Sequence, residues 1–377
     1  MIKKITIVGG GPVGLIFAAL LNKKYHYEIL DAPKKSSNND ERALALSNGS
    51  RLVFEEIGVW REIQAKVIPI NEIHTSQKGS FGRSLFTTED TKEDALGYII
   101  SYADLLNVLK KKVKKESFLE SATVEYINTE EKKISFIHNE EKKFSSFDLL
   151  VLADGGQSKI DGVVYNKSEQ QLNHDALVTI VKTNQPHKNR AFERFTTSGP
   201  LALLPFKDGC YSLVWTAPME KIRELEKLHT ADFLNCLQEE FGDRVGKFIE
   251  VGKKTSFPLM QSKLEELNTN FIIAIGNAAQ IMHPVAGQGL NMGVQDAYHL
   301  FRYINDQGFD AAINNLDTHI AQRQKEKKKL FAITGQLASV FNDNIIGINR
   351  FRGLALLALS TLGFMKRKFI KKMSYGK

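Results

Sequence analysis

Apolar and polar positions alternate over residues 2–31 in the βαβ manner: Ile5 to Val8 predicts a strand, Pro12 to about Asn22 a helix, and Tyr27 to Leu30 a second strand. A polar stretch from Ser36 to Glu41 follows as a loop, and Leu52 to Ile63 is helical by spacing. Residues 71–90, rich in His, Thr, Ser, Gly and Phe, predict a β-hairpin; Tyr102 to Lys115 then predicts a helix with Leu105, Leu109 and Val113 on one face. The apolar run Leu149 to Leu152 is a strand ending in Ala153-Asp154-Gly155-Gly156. From there to about Pro218 the pattern is mostly β, with Leu177 to Val181, Ser212 to Thr216 and the Pro-containing run around Leu201 to Phe206 suggesting an antiparallel sheet. A helical insert spans roughly Asp232 to Phe241, a last buried strand runs from Phe271 to Ile275, and the chain from Gly293 onward is mostly helical. No internal repeat or low-complexity segment interrupts this order.

A chain of 377 residues exceeds one simple core and suggests about two domains. Its two cysteines, Cys210 and Cys236, lack CxxC spacing, which argues against a zinc site or a disulfide scaffold and for a reducing compartment. Lys3 and Lys4 lead straight into a strand, so neither a signal peptide nor a transit sequence is expected, and the expected location is cytoplasmic. The net charge of +8 is confined to the end of the chain: Arg350 to Lys377 holds eight Lys or Arg and no acid. Within it Gly353 to Phe364 is mostly apolar but well short of the roughly 20 residues that span a bilayer. With Lys366-Arg367-Lys368 and Lys371-Lys372 behind it, this segment reads as an interfacial helix drawn to an anionic membrane surface, as a partner-binding surface, or as a docked terminal helix. Nucleic acid is not expected, because no recognised motif or stacking set accompanies the charge.

Candidate chemistry concentrates in three places. Gly9-Gly10-Gly11-Pro12-Val13-Gly14 is a G-x-G-x-x-G between strand and helix, where Gly9 allows the turn, Gly11 admits a pyrophosphate to the backbone, and Gly14 lets helix and strand pack closely. Asp31 closes the second strand, placed to hold ribose hydroxyls; the alternative is a glycine turn with no ligand. Asp154-Gly155 alone would be a plain turn. Residues 275–293 hold a His283-Pro284 step and the glycines Gly287, Gly289 and Gly293, a backbone open to a flat ligand such as a flavin, with amides from Gln288 and Asn291 at its edge.

With G-x-G-x-x-G, a strand ending in Asp154-Gly155 and a strand ending in Gly276-Asn277, the chain resembles the class A flavoprotein aromatic monooxygenases. It is most similar to the ubiquinone-biosynthesis FAD-dependent hydroxylases, of the 2-octaprenyl-6-methoxyphenol hydroxylase type. Gly276-Asn277-Ala278-Ala279-Gln280, followed by His283 to Gly289, carries the narrower likeness. Arg42 to Gly49, Ser76 to Gly82, Glu193-Arg194-Phe195 and Gly199 to Pro205 agree with it. The resemblance implies an α/β fold: a Rossmann-like FAD-binding domain (1–70, 96–162 and 263–330), an inserted antiparallel-sheet substrate domain (71–95 and 163–262), and a C-terminal helical region (331–377), as in para-hydroxybenzoate hydroxylase.

It also implies roles. Gly9, Gly11 and Gly14 would meet the FAD pyrophosphate, Asp31 the adenosine ribose, and Arg42 the pyrophosphate or ribityl chain. Asp154, Gly155, Gly276 and Asn277 would complete the middle of the site, while Pro284, Gly287, Gln288, Gly289, Leu290 and Asn291 would lie along the isoalloxazine. The chain departs from the class where Tyr102 and Leu106 stand for a usual Arg and Gln, and where Asp161 stands for an Arg. In this class NAD(P)H reduces the flavin, oxygen adds to it, and an electron-rich phenol attacks the distal oxygen. His283 beside Pro284 is a candidate to polarise the phenol, or simply caps the turn. Glu193-Arg194 either faces the substrate or forms a surface ion pair. The expected activity is hydroxylation of a polyprenyl phenol with O2, in contact with other ubiquinone-biosynthesis proteins and the inner face of the membrane. Alternatives are a monooxygenase for a soluble aromatic and a flavin-binding scaffold of weak activity. No metal is expected.

Overall fold

The computed structural model describes residues 3–22, 24–33, 41–79, 83–156, 160–163, 165–267, 271–281, 288–328 and 371. Lys4–Val8, His26–Asp31, Phe118–Glu120, Leu149–Leu152 and Ile272–Ala274 form a five-stranded sheet, ordered Ile272–Ala274, Leu149–Leu152, Lys4–Val8, His26–Asp31, Phe118–Glu120. Every pairing in it is parallel. Parallel strands are covered on both faces and read as continuous apolar runs, as Leu149-Leu150-Val151-Leu152 does. The helix Pro12–Leu21 buries every residue from Gly14 to Leu21 between this sheet and the long helix Gln288–Gln307. Ile5, Ile7, Phe17 and Leu21 are fully buried there, each such side chain worth about 2 kcal/mol.

Two expected helices stop early. The run Leu52 to Ile63 is two helices, Asn48–Glu56 and Trp60–Gln64, because Gly58 at φ 71° takes a left-handed conformation between them. The helix from Tyr102 ends at Lys110 rather than Lys115. Tertiary partners claim the next turn: Lys114 N–H donates to the Tyr27 hydroxyl, and Asn22 Nδ2 donates to the Lys112 carbonyl. Between Lys115 and Leu149, where the hydrophobic pattern is silent, Thr123–Asn128, Lys133–His138 and Glu141–Ser146 make an antiparallel sheet. Its second hairpin turns at Asn139 and Glu140, both at positive φ as a tight two-residue turn requires.

Among the described residues the largest sheet has nine strands. The expected hairpin is there as Glu72–Gln77 and Arg83–Thr87, and it joins Arg190–Phe195, Pro200–Pro205, Tyr211–Pro218, Tyr165–Thr183 and Thr255–Leu267 in one surface. One face packs Leu177, Leu201, Leu203, Leu213 and Trp215 against the helices Met219–Lys227 and Thr230–Phe241. Part of the other face, through Ile73, Ala191, Leu204 and Phe206, packs on a small sheet of Ala43–Leu46, Ile68–Ile70 and Gly97–Ser101. Past Gln307 come the helix Phe309–Asn314 and helical residues 316–328. Among the described residues no helix is long and apolar enough to cross a membrane. The basic apolar segment 350–377, except Lys371, lies outside them.

Candidate functional site

Each glycine turn follows the carboxyl end of a parallel strand, so all three emerge on one edge of the sheet. Gly9 follows Val8, Asp154 lies two residues past Leu152, and Gly276 lies two past Ala274. Backbone hydrogen bonds continue the sheet into them: Gly9 N–H to Leu30 O, Ala153 N–H to Val8 O and Ile275 N–H to Leu152 O, at 2.8 to 2.9 Å.

The glycines of the first turn divide by what surrounds them. A Cβ on Gly9 would lie 2.6 Å from the Ala153 carbonyl, and one on Gly14 would lie 2.1 Å from the Gly9 oxygen. Gly10, which the motif leaves as a free position, is equally constrained: a Cβ would strike the Asp31 carboxyl and Phe118, and its N–H donates to Asp31 Oδ1 at 2.8 Å. Gly11 alone of the four opens on space clear of the described residues. It caps the Pro12–Leu21 helix with no side-chain oxygen and no acid in the first turn, so the helix N-terminus presents its positive end to that space. Such an opening suits the diphosphate of a dinucleotide.

The second and third turns close on the first. Asp154 Oδ1 accepts the Gly156 N–H at 2.9 Å, folding the turn so that Gly155 and Gly156 both take positive φ. A Cβ on Gly156 would come within 3.3 Å of the Asn277 carbonyl. Val13 wedges between Gly276 and Gly293, where an added Cβ would meet its methyls at 3.3 and 2.5 Å. Behind this turn, buried Asp296 accepts from Gly276 N–H at 3.2 Å while pairing with Arg323 Nη2 at 3.0 Å and Lys327 Nζ at 2.6 Å. Val13 and Asp296 carry no motif signal. The one visible hint of Asp296 is an acid on the buried stripe Gly293, Val294, Ala297, Leu300 and Ile304. A cleft of about 190 Å³, lined by His319, Arg323, Lys327 and Lys263 among others, lies next to it. Burial, reinforced by Arg323, depresses the His319 imidazole to a pKa of about 4.

Asn291 commits its amide to the protein: Oδ1 accepts from Ser47 N–H and Ser50 Oγ, and Nδ2 donates to Ala45 O. Leu290 packs against the core, and a Cβ on Gly289 would lie 3.7 Å from the Asn277 side-chain oxygen. The Arg42 guanidinium lies over the rings of Tyr102 and Phe257, at 5.3 and 5.7 Å from their centroids, bridging the small sheet to the large one. Tyr102 therefore serves as a platform for Arg42, and Leu106 packs on the core. Asp161 is exposed, its backbone bridging to Tyr126. Arg194 is buried, donating to the Glu240 carbonyl at 2.8 Å and to Ser76 Oγ at 3.3 Å, and Glu193 lies on the opposite face, so the two form no surface ion pair. His283, Pro284 and Gly287 lie outside the described residues.

Three glycine turns meeting at the carboxyl edge of a parallel sheet, coupled to a large sheet that is antiparallel except where Arg190–Phe195 pairs with Glu72–Gln77, define a dinucleotide-binding protein. The chain belongs to the FAD binding domain family, whose model matches residues 3–332. Its cofactor is FAD, and it is a FAD-dependent monooxygenase of the class A type. It is 29% identical to the uncharacterized protein slr1300 of Synechocystis sp., over 94% of this chain and 89% of that one. It is 27% identical to the ubiquinone hydroxylase UbiL of Rhodospirillum rubrum, covering 97% and 88%, and 24% identical to the ubiquinone biosynthesis monooxygenase COQ6 of Xenopus tropicalis, covering 97% and 92%. The fold is shared with p-nitrophenol 4-monooxygenase PnpA of Pseudomonas putida, at TM-score 0.81, 17% identity and coverage of 100% and 98%. It is also shared with FAD-complexed HpxO of Klebsiella pneumoniae, at TM-score 0.74, 14% identity and coverage of 98% and 97%.

Proposed function

We propose that this protein hydroxylates the ring of a polyprenyl phenol in ubiquinone biosynthesis, with O2 as oxidant and NAD(P)H as reductant. The observation that carries this reading is similarity over 97% of the chain to one protein named a ubiquinone hydroxylase and another named a ubiquinone biosynthesis monooxygenase. Bound FAD supplies the activation of oxygen. The chain would hold it with the diphosphate at Gly11, where Gly9 and Gly14 shape the turn, and with the adenosine ribose at Asp31. Arg42, Asp154, Gly155, Gly276 and Asn277 stand along the middle of the cofactor. Gln288, Gly289, Leu290 and Asn291 would flank the ring system, with His283, Pro284 and Gly287 as sequence candidates for the same region. Asn277 offers a neutral hydrogen bond where a carboxylate would offer a charged one, which weakens the hold on FAD. The domain division at residues 71–95 and 163–262 separates the substrate wall from the cofactor frame. The basic segment 350–377 brings the site to an anionic membrane surface, where a prenylated substrate resides.

The test is quinone analysis of a strain lacking the gene. Loss of ubiquinone with accumulation of a prenylated ring one hydroxyl short, restored by the wild-type gene, is the expected result. Unchanged ubiquinone would overturn it.

A further inference from the structure

In the nine-stranded sheet, residues in register across neighbouring strands share a face. One such row reads Val178, Val214, Ala202, Glu193, Thr75 and Ser84, crossing five pairings. The next row, Ile180, Leu204, Ala191, Ile73 and Phe86, is covered by Ala43, Ala45 and Ile99 of the small sheet. Among the described residues the small sheet does not cover the Glu193 row: Val178, Val214, Ala202, Glu193 and Thr75 are each only partly buried, although they lie in the middle of the sheet. Asn291 ties the start of the Gln288–Gln307 helix to Ala45 and Ser47 of the covering layer, so the open row borders the region where the flavin ring is proposed to lie.

Glu193 is the sole carboxyl of this row. Among the described residues no hydrogen bond or ion pair engages it, while Arg194 beside it donates to Glu240 and Ser76 on the other face. Two strands away Ser84 is 1% exposed, and its hydroxyl has no partner among the described residues. A carboxyl in the middle of a sheet, partly withdrawn from water and with no hydrogen bond in return, costs stability, and such an arrangement persists at working sites. Burial raises its pKa to about 7, so it can take or release a proton near neutrality. Among the described residues the neighbouring rows on this face, through Ala191, Ile73 and Leu204 on one side and Phe195, Gln77 and Pro200 on the other, place no other titratable side chain beside it.

We propose that Glu193 is a catalytic residue that accepts the hydroxyl proton of the phenol substrate, whose ring lies on the Val178, Val214 and Ala202 wall. The inference rests on the proposed phenol hydroxylation. The phenol O–H bond breaks, the proton passes to the Glu193 carboxylate, and the electron pair left on oxygen enriches the ring for attack on the activated oxygen. After the ring has gained its oxygen and lost the displaced hydrogen as a proton, protonated Glu193 returns its proton to the product oxygen.

The experiment uses the full-length, FAD-loaded protein with 2-methoxyphenol as probe, followed by flavin absorbance for binding and by hydroxylated product for turnover. E193Q keeps a hydrogen-bonding group but cannot take the proton. Binding should stay within about twofold, while kcat at pH 7 falls about a hundredfold and its rise across neutral pH disappears. E193A should lose binding as well. Because a charged carboxylate in this place opposes folding, E193Q should also melt higher than wild type at pH 8. If wild type turns over the probe and E193Q matches its pH profile, the role of Glu193 is overturned while the phenol reading stands. Wild type that neither binds nor hydroxylates the probe overturns both.

Discussion

The carboxamide oxygen of Asn291 accepts the backbone N–H of Ser47 at 2.8 Å, across 244 positions of chain. The same oxygen accepts from Ser50 Oγ, and the amide nitrogen donates to Ala45 O. One side chain thus fixes where the Gln288–Gln307 helix begins relative to the strand and helix that follow Arg42. Removing it in Asn291→Ala leaves a buried-side N–H and carbonyl unmatched, a loss of about 2 kcal/mol. We expect a lower melting temperature and reduced flavin content in the purified protein; an unchanged flavin-to-protein absorbance ratio would refute the linkage.

Gly11 and Gly14 separate ligand space from packing space. Gly14→Ala places its methyl 2.1 Å from the Gly9 oxygen, so the apoprotein itself should unfold more readily or fail to accumulate. Gly11→Ala meets nothing within 4 Å among the described residues and should leave the apoprotein melting point unchanged while raising the FAD dissociation constant at least tenfold. Isothermal titration with FAD beside thermal melts of the apoprotein distinguishes the two.

Asp296 holds the third turn to the helical residues beyond Asn314. Its carboxylate is buried with Arg323 and Lys327, their side chains only 15% and 11% exposed. Asp296→Asn leaves both cations short of their partner, a change that costs about 3 kcal/mol when a buried pair is broken. Faster proteolysis near Lys327 and Lys328, with a lower melting temperature, is the expected outcome.

Acid sensitivity should arise at His319, stacked on Tyr303 with centroids 4.7 Å apart. Its folded pKa, about 4, lies below the unfolded value of 6.5. Between those values the unfolded chain binds the extra proton, so stability is complete above pH 6.5 and is lost as pH falls toward 4. The contribution amounts to at most about 3 kcal/mol. His319→Gln should flatten that part of the stability curve, measured by urea melts at pH 7 and pH 5.

The excess charge sits wholly in residues 350–377. Deleting them should abolish sedimentation with vesicles of anionic phospholipid and spare turnover of a soluble phenol. Continued sedimentation of the shortened protein would remove the membrane part of the proposed function.

The βαβ opening, the strand at Leu149–Leu152 and the order of the three turns were legible in the chain because they depend on short-range facts: apolar runs, glycine spacing, proline at a helix start. Long-range partners decided the rest. The helix from Tyr102 stops at Lys110 because Tyr27 and Asn22 bind the next turn, and Arg42 points to Tyr102 and Phe257 because two sheets meet there. Sequence by itself determined which segments could cradle a dinucleotide, since a turn without side chains needs particular residues at particular spacings. Only the tertiary structure decided which glycine opens on free space and which faces Val13 or the Gly9 carbonyl. It alone put Glu193 between Ala202 and Thr75 in a partly buried row of the large sheet, because strand pairing, which chooses the neighbours of a side chain, joins residues far apart in the chain.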